Sequence, residues 1–293
     1  MTLAIDPPSR PQRWWQSRAV RRFARHRLAV TGLVIILILA VACLVGPWLL
    51  PHDMLTIHLM DRFAPPLTDD YIFGTDELGR DLAARLFMAG RVSLLVGVAA
   101  MVLSTLIGAA VGLVAGYFGG WLDAALMRFT DSFLCFPQIF LLLALAAFLQ
   151  PTPVMITLII AITSWMEIAR IVAAEVRSLR GRDFVTAARM SGASSSWIMF
   201  REVLPNTAGP IIVAATLTVA RAILIEAYIS FLGYGIQPPL PSWGNMLNNA
   251  QQYLDTAPWL AIVPGVAITL AVTGFNFVGD GLRDALDARS DLK

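Results

Sequence analysis

Residues 183–206 read DFVTAARMSGASSSWIMFREVLPN, a polar and partly basic stretch between two long apolar runs. Its first half has the makings of a short helix over 182–191, with Ala187 and Ala188 on a slim face and Phe184 and Val185 as apolar anchors. Gly192 stops that helix, as Gly often does. Ser194, Ser195 or Ser196 can cap a second short helix running toward Glu202. Pro205 ends that helix or starts the next apolar run. The expected product is a helix–turn–helix knuckle shaped for a groove on another protein, with Phe184 filling a pocket. An ordinary amphipathic connector is the plainer alternative.

The runs on either side decide the fold class. The 293 residues are 57% hydrophobic and 14% charged, with a mean hydropathy of +0.68. A soluble domain usually carries about 25% charge. A membrane-crossing helix needs roughly 20 mostly apolar residues. Segments 28–50, 91–117, 123–148, 153–176, 209–232 and 258–278 meet that requirement. The expected fold is all-α, a polytopic membrane helix bundle of about six transmembrane helices. A basic leader ahead of Ala40-Val41-Ala42-Cys43 faintly resembles a lipoprotein signal, but the apolar run is too long and holds the Cys inside it. An uncleaved first helix is expected. In the second run Gly108, Gly112 and Gly116 recur every fourth residue, a spacing that lets helix backbones approach closely.

Arginine placement sets the orientation, because basic residues near span ends stay in the cytoplasm. The tail 1–27 carries Arg10, Arg13, Arg18, Arg21, Arg22, Arg25 and Arg27 against a lone Asp6. The loop after the first span is mostly acidic, with Asp53, Asp61, Asp69, Asp70, Asp76, Glu77 and Asp81. Six spans then return the 177–208 loop, with Arg177, Arg180, Arg182, Arg189 and Arg201, to the side of the N-terminus. The tail 283–293, with Arg283, Arg289 and Lys293, falls on that same side. The chain thus divides into a basic tail (1–27), a first span with an external loop (28–90), a core domain (91–282) holding the loop 177–208, and a closing tail (283–293).

Several chemistries are excluded. The only lysine is Lys293, and a phosphate-cradling P-loop needs a Lys after its Gly-rich turn, so no ordinary ATPase site is expected here. The histidines are His26, His52 and His58, with no HExxH or Cys/His cluster, so no metal site or catalytic residue is expected. A serine nucleophile in Gly192-Ala193-Ser194-Ser195 would lack a later histidine as base. Cys43 and Cys135 sit inside apolar runs and read as buried free thiols. A net charge of +2 gives no reason to expect a nucleic-acid partner.

Charged residues within spans are costly and often functional. Glu167 and Arg170 are three apart in the fourth run, so they share a face and can pair. Arg221 and Glu226 lie in the fifth run, five apart, and are candidates for lining a pathway. Glu226 can meet substrate or join an interhelical ion pair. Between the runs, FGTDELGRD (73–81) reads as a turn at Gly74-Thr75-Asp76 followed by a cap at Asp81. Pro238, Pro239 and Pro241 exclude regular helix from the loop before Trp243, which is expected at the membrane interface.

These pieces together resemble the C-type permease subunit of peptide- and nickel-type ABC importers, the oligopeptide/dipeptide class with the MetI-like type I importer fold. The resemblance runs from about Arg22 to Asp291. Its carriers are FARHRLAVTGL, FGTDELGRDLAARL (73–86), EAYISFLGYGIQPPLPSWGNML (226–247), FNFVGDGLRDALD (275–287) and the knuckle itself. In the knuckle, Ala187, Ala188, Gly192, Leu204 and Pro205 match the spacing of that family's "EAA" loop, A-A-x3-G-x11-L-P. Thr186 stands where the motif's name implies Glu, and Glu202 where an apolar residue is usual.

The resemblance implies a bacterial inner-membrane subunit with both termini cytoplasmic. It implies four kinds of neighbour: a second homologous permease, two ABC ATPase subunits that bring ATP and Mg, an external solute-binding protein, and the lipid bilayer. The knuckle, Phe184 included, is then the coupling loop. Asp76, Arg80 and Trp243 become candidate contacts for the binding protein. No cofactor is implied in this chain. Peptides are the expected cargo; nickel, metal chelates and glutathione-like solutes are alternatives, and a secondary transporter is a more distant one.

Overall fold

The computed structural model describes residues 18–68 and 70–286. The expectations resting on Asp6, Arg10, Arg13, Asp69, Arg289 and Lys293 lie outside the described residues. Every regular element among the described residues is helical, apart from two isolated bridges in the loop after the first span.

A short basic helix, α1 (Arg18–Arg25), leads into α2 (Arg27–Leu49), the first spanning helix. Cys43 lies buried in the C-terminal third of α2. Helix α3 (Leu82–Phe118) follows, then α4 (Gly120–Leu134), α5 (Gln138–Phe148) and α6 (Pro153–Leu179). The short helices α7 (Asp183–Met190) and α8 (Ser195–Ile198) form the knuckle, and α9 (Leu204–Phe231) returns through the bundle. A lateral helix, α10 (Trp243–Ala250), precedes the closing span α11 (Trp259–Leu286). Five stretches are long and apolar enough to cross a membrane, and the count is six if the bent pair α4–α5 is taken as one span.

The centre of the bundle is α3 against α6, and its closeness comes from the glycine stripe. A Cβ on Gly108, Gly112 or Gly116 would sit 2.6 to 2.7 Å from the carbonyl oxygens of Trp165, Ala169 and Ala173. One turn of α3 therefore meets one turn of α6 three times over, backbone to backbone, as lipid-embedded helices pack when hydrophobic burial offers no net drive.

Four boundaries differ from those expected, one of them the end of α11, which runs on past position 278 to Leu286. Helix α3 begins nine residues before position 91, at Leu82, because its two arginines are satisfied within the protein. Arg85 is buried against Asp76 at 3.4 Å. Arg91 donates from Nε to the Cys43 carbonyl at 2.7 Å and from Nη2 to the Leu44 carbonyl. Pro47 has no N–H, so the helix leaves the Cys43 carbonyl without its usual partner and Arg91 fills the vacancy. This pins α2 to α3.

The third expected span is broken by an 81° bend between α4 and α5, at Cys135-Phe136-Pro137. Cys135 sits in that bend and is exposed, not buried as expected. The fifth span is longer than 209–232: Ser195–Phe231 is a continuous helical stretch. It passes Pro205 through a π-helical turn, Met199–Val203, and Asn206 Nδ2 donates to the Glu202 carbonyl at 2.6 Å. A wider turn of this kind is a common way for a helix to absorb an irregularity.

Candidate functional site

The knuckle forms as its local signals predict. Asp183 sits in the first turn of α7, where a negative charge suits the helix dipole. Gly192 has φ +81°, and the amides of Gly192 and Ala193 bond back to the carbonyls of Arg189 and Ala188, a glycine-closed helix end. Ser194 Oγ caps α8 by accepting from the Trp197 amide at 3.3 Å. Inside, Val185, Ile198, Met199 and Val203 are buried with Val176 and Leu179 of α6, and Ala188 and Leu204 pack against them. Outside, Phe184 is 37% exposed, Met190 is 85% exposed, and Ala187, Gly192 and Pro205 are exposed. The knuckle is thus rooted in α6 and α9, with an apolar, small-residue face turned outward.

At the other end, FGTDELGRD folds as a turn and cap. The Asp76 carboxylate accepts from the Leu78 and Arg80 amides at 2.9 and 3.0 Å and from Arg80 Nε at 2.7 Å. Gly79 has φ +72°, and a Cβ there would lie 1.8 Å from the His58 carbonyl oxygen, so only glycine fits. Asp81 caps α3 through the Ala83 amide at 2.9 Å. Its other oxygen is buried without a hydrogen-bond partner, and that burial raises the carboxyl above the usual carboxylate range.

Next to this turn lies a closed polar knot. Glu226 is 0% exposed. Its two oxygens accept from Ser93 Oγ at 2.7 Å and Ser230 Oγ at 2.8 Å. Each of those hydroxyl oxygens in turn accepts a backbone amide: Trp243, at the start of α10, to Ser93 at 3.3 Å and Ile236 to Ser230 at 3.1 Å. Ser242 and Asn245 form a capping box on α10, and Asn245 also donates to the Ile236 and Leu240 carbonyls. Trp243 is 1% exposed, with its Nε1 donating to the Leu86 carbonyl at 3.2 Å.

Three expectations are corrected here. Trp243 and Asp76 are interior residues that shape this end, not surface contacts, because their polar groups are matched within the chain. Glu226 is neither half of an ion pair nor open to a cavity; two serine hydroxyls stand where a cation was expected. Sequence reasoning missed α10 altogether. The capping pair Ser242 and Asn245 was its only local signal, and it lies straight after a proline run.

Midway along α6 the geometry is different again. Glu167 pairs with Arg221 of α9, and Arg170 with Asp131 of α4 at 3.6 Å. Glu167 and Arg170 do not pair with each other; partners on neighbouring helices are better placed than a residue one turn away. Both Arg221 and Glu167 remain more than half exposed. They line a cavity of about 290 Å³ with Phe136, Gln138, Thr163 and Thr218, in the elbow of the α4–α5 bend. Of the four charged residues singled out within spans, three therefore share one region, and Glu226 is sealed off in another.

With the geometry in place, the comparisons with known proteins are consistent along the whole chain. Residues 108–291 match the family described as binding-protein-dependent transport system inner membrane component. Residues 14–66 match the N-terminal transmembrane domain of oligopeptide transport permease C. The chain is 43% identical over 278 residues to a putative peptide permease protein of Brucella suis, covering 94% of this chain and 92% of that protein. It is 39% identical over 295 residues to a di/tripeptide transport system permease protein of Pseudomonas aeruginosa, covering 98% and 96%. It is 38% identical over 271 residues to an oligopeptide transport system permease protein of Bacillus subtilis, covering 92% and 88%.

Proposed function

The chain belongs to the family of binding-protein-dependent transport inner membrane components, and from that premise we propose that it forms half of the translocation pathway of an ATP-driven peptide importer. It is a multi-pass membrane permease and not an ATPase. The named relatives being peptide permeases supports peptides over nickel or chelates as cargo.

The observation that carries the mechanism is the knuckle. It is exposed, it presents Phe184, Ala187, Met190 and Gly192, and it is rooted in two spanning helices at once. Small side chains let a partner approach closely, and Phe184 supplies an anchor. A push on α7 and α8 reaches α9 directly, because Ser195–Phe231 runs on as helix. One of two ABC ATPase subunits, which bring ATP and Mg, takes this surface, and a second, homologous permease completes the pathway. The knuckle, both termini and the ATPase subunits then share the cytoplasmic side of a bacterial inner membrane. A solute-binding protein docks at the α10 end, whose shape the buried Asp76 and Trp243 and the largely buried Arg80 maintain.

Reconstitution tests this reading. Proteoliposomes holding the full set of subunits should take up radiolabelled dialanine only with ATP and binding protein present. Uptake by this chain alone, with no ATPase subunit, overturns it.

A further inference from the structure

The cavity in the α4–α5 elbow draws its lining from α4, α5, α6 and α9. Arg221 and Glu167 come from different helices, stand midway along their spans, and are more than half exposed on this chain. Charges at that depth do not face lipid; they face water, a ligand or another protein. A break in a membrane helix is tolerated where it lines a cavity, and no side chain caps the start of α5 at Gln138. The hydroxyl hydrogens of Thr163 and Thr218 are turned back onto the Ile159 and Ala214 carbonyls, which leaves their oxygen lone pairs as acceptors. The Gln138 amide is oriented by the Thr163 carbonyl at 3.3 Å.

We propose that this cavity binds the two charged ends of a short zwitterionic peptide, the carboxylate on the Arg221 guanidinium and the ammonium on the Glu167 carboxylate. Empty, the two side chains neutralise each other; occupied, each exchanges its partner for an end of the ligand, so no charge is stranded at either stage. The site rests on the importer reading and specifies what passes through it. The volume, about 290 Å³, equals the share of roughly ten water molecules and leaves room for a dipeptide.

The same chemistry continues along α6. Arg170 pairs with Asp131 at 3.6 Å, and Arg177 with Asp123 at 2.8 Å, nearer the knuckle. Three ion pairs in succession offer a zwitterion repeated exchange sites, each weak enough to leave, which is the condition for conduction through several sites.

The test uses the complete importer in proteoliposomes. Arg221→Gln and Glu167→Gln should each lower ATP-driven uptake of dialanine by roughly tenfold or more, the worth of one charged hydrogen-bonding contact. Hydrolysis stimulated by loaded binding protein should persist in both, showing that the subunits still assemble. A second readout uses Ser164→Cys with Cys135→Ser: a water-soluble methanethiosulfonate should label the introduced thiol, and dialanine under turnover should slow labelling where its N-acetyl amide does not. Wild-type uptake by the neutral variants, or labelling that dialanine leaves unchanged, overturns the site while sparing the importer reading. No uptake by wild-type vesicles sinks both. Lost uptake together with lost hydrolysis, with labelling unprotected, means the pair is an assembly contact with the second permease and overturns the site as well.

Discussion

The two ends of the bundle carry sequence signatures of similar density and put them to opposite use. At the α10 end, Asp76, Ser93, Glu226, Trp243 and Asn245 are buried, and their hydrogen bonds close within this chain. At the knuckle end, only Val185, Ile198, Met199 and Val203 are buried, while Phe184, Ala187 and Met190 face outward. A closed polar network fixes one geometry, because any member displaced leaves another unsatisfied in a low-dielectric setting. An open face of small and apolar side chains fixes nothing until a second surface arrives. Polarity in the sequence does not tell these roles apart, since the more polar end is the one turned inward.

The sharpest way to break the contrast uses a glycine from each end. A Cβ on Gly244 would lie 2.4 Å from the Ala227 carbonyl oxygen and 2.7 Å from the Ala227 Cα, both rigid backbone of α9. Gly244→Val should therefore push α10 off the bundle and cost about 3 kcal/mol or more. The check is folded yield and thermal unfolding of the detergent-purified importer. A wild-type unfolding temperature would mean that α10 is a loose flap and the contrast is false.

Next comes the knot. Glu226→Ala removes the acceptor of two buried hydroxyls and should cost about 2–3 kcal/mol. Glu226→Gln keeps one acceptor oxygen and should cost about 1 kcal/mol. Because Glu226 reaches no cavity, uptake per folded transporter should stay at the wild-type level in Glu226→Gln. A fall in that ratio with unfolding temperature unchanged would return Glu226 to the pathway.

How much of this was readable beforehand follows from the range of the forces involved. The knuckle was legible almost residue by residue, because a glycine stop and a serine cap act within a few positions. The glycine stripe of α3 likewise announced a close helix contact, though not that α6 would supply it. The start of α3 was not legible: Arg85 and Arg91 look like a span boundary until Asp76 and the carbonyls near Pro47, far off in sequence, take them up. Arg221 and Glu167 are 54 residues apart, so their pairing is a product of tertiary packing alone. In the third expected span an apolar stretch of the right total length hides the break at Pro137.

At the knuckle the effects on stability shrink and those on coupling take over. A Cβ on Gly192 would meet nothing within 4 Å, so its φ of +81° is the sole demand on the residue. Aspartate tolerates that region better than most residues, so Gly192→Asp should cost only about 1 kcal/mol. It nevertheless places a carboxylate where a partner must approach. The subunit should insert and purify normally, and ATP hydrolysis should continue while uptake falls. Normal uptake would reduce the knuckle to a connector.

Phe184→Ala is the gentlest change and isolates the docking role most cleanly. Phe184 is partly exposed, and its neighbour Val185, not Phe184, is the residue buried among Val176, Leu179 and Ile198. Truncating it should shift stability by no more than about 0.5 kcal/mol, as exposed positions generally do. If the ring fills a pocket on the ATPase, its loss should weaken that contact by about 2 kcal/mol, in the range of an aromatic anchor at an interface. The measurement is retention of the ATPase subunits on detergent-solubilised permease as they are diluted, beside thermal unfolding of the permease. Unchanged retention would show that α7 docks through its alanines alone. A drop in unfolding temperature matching the loss of retention would show that the open end is held together from within after all, as the α10 end is.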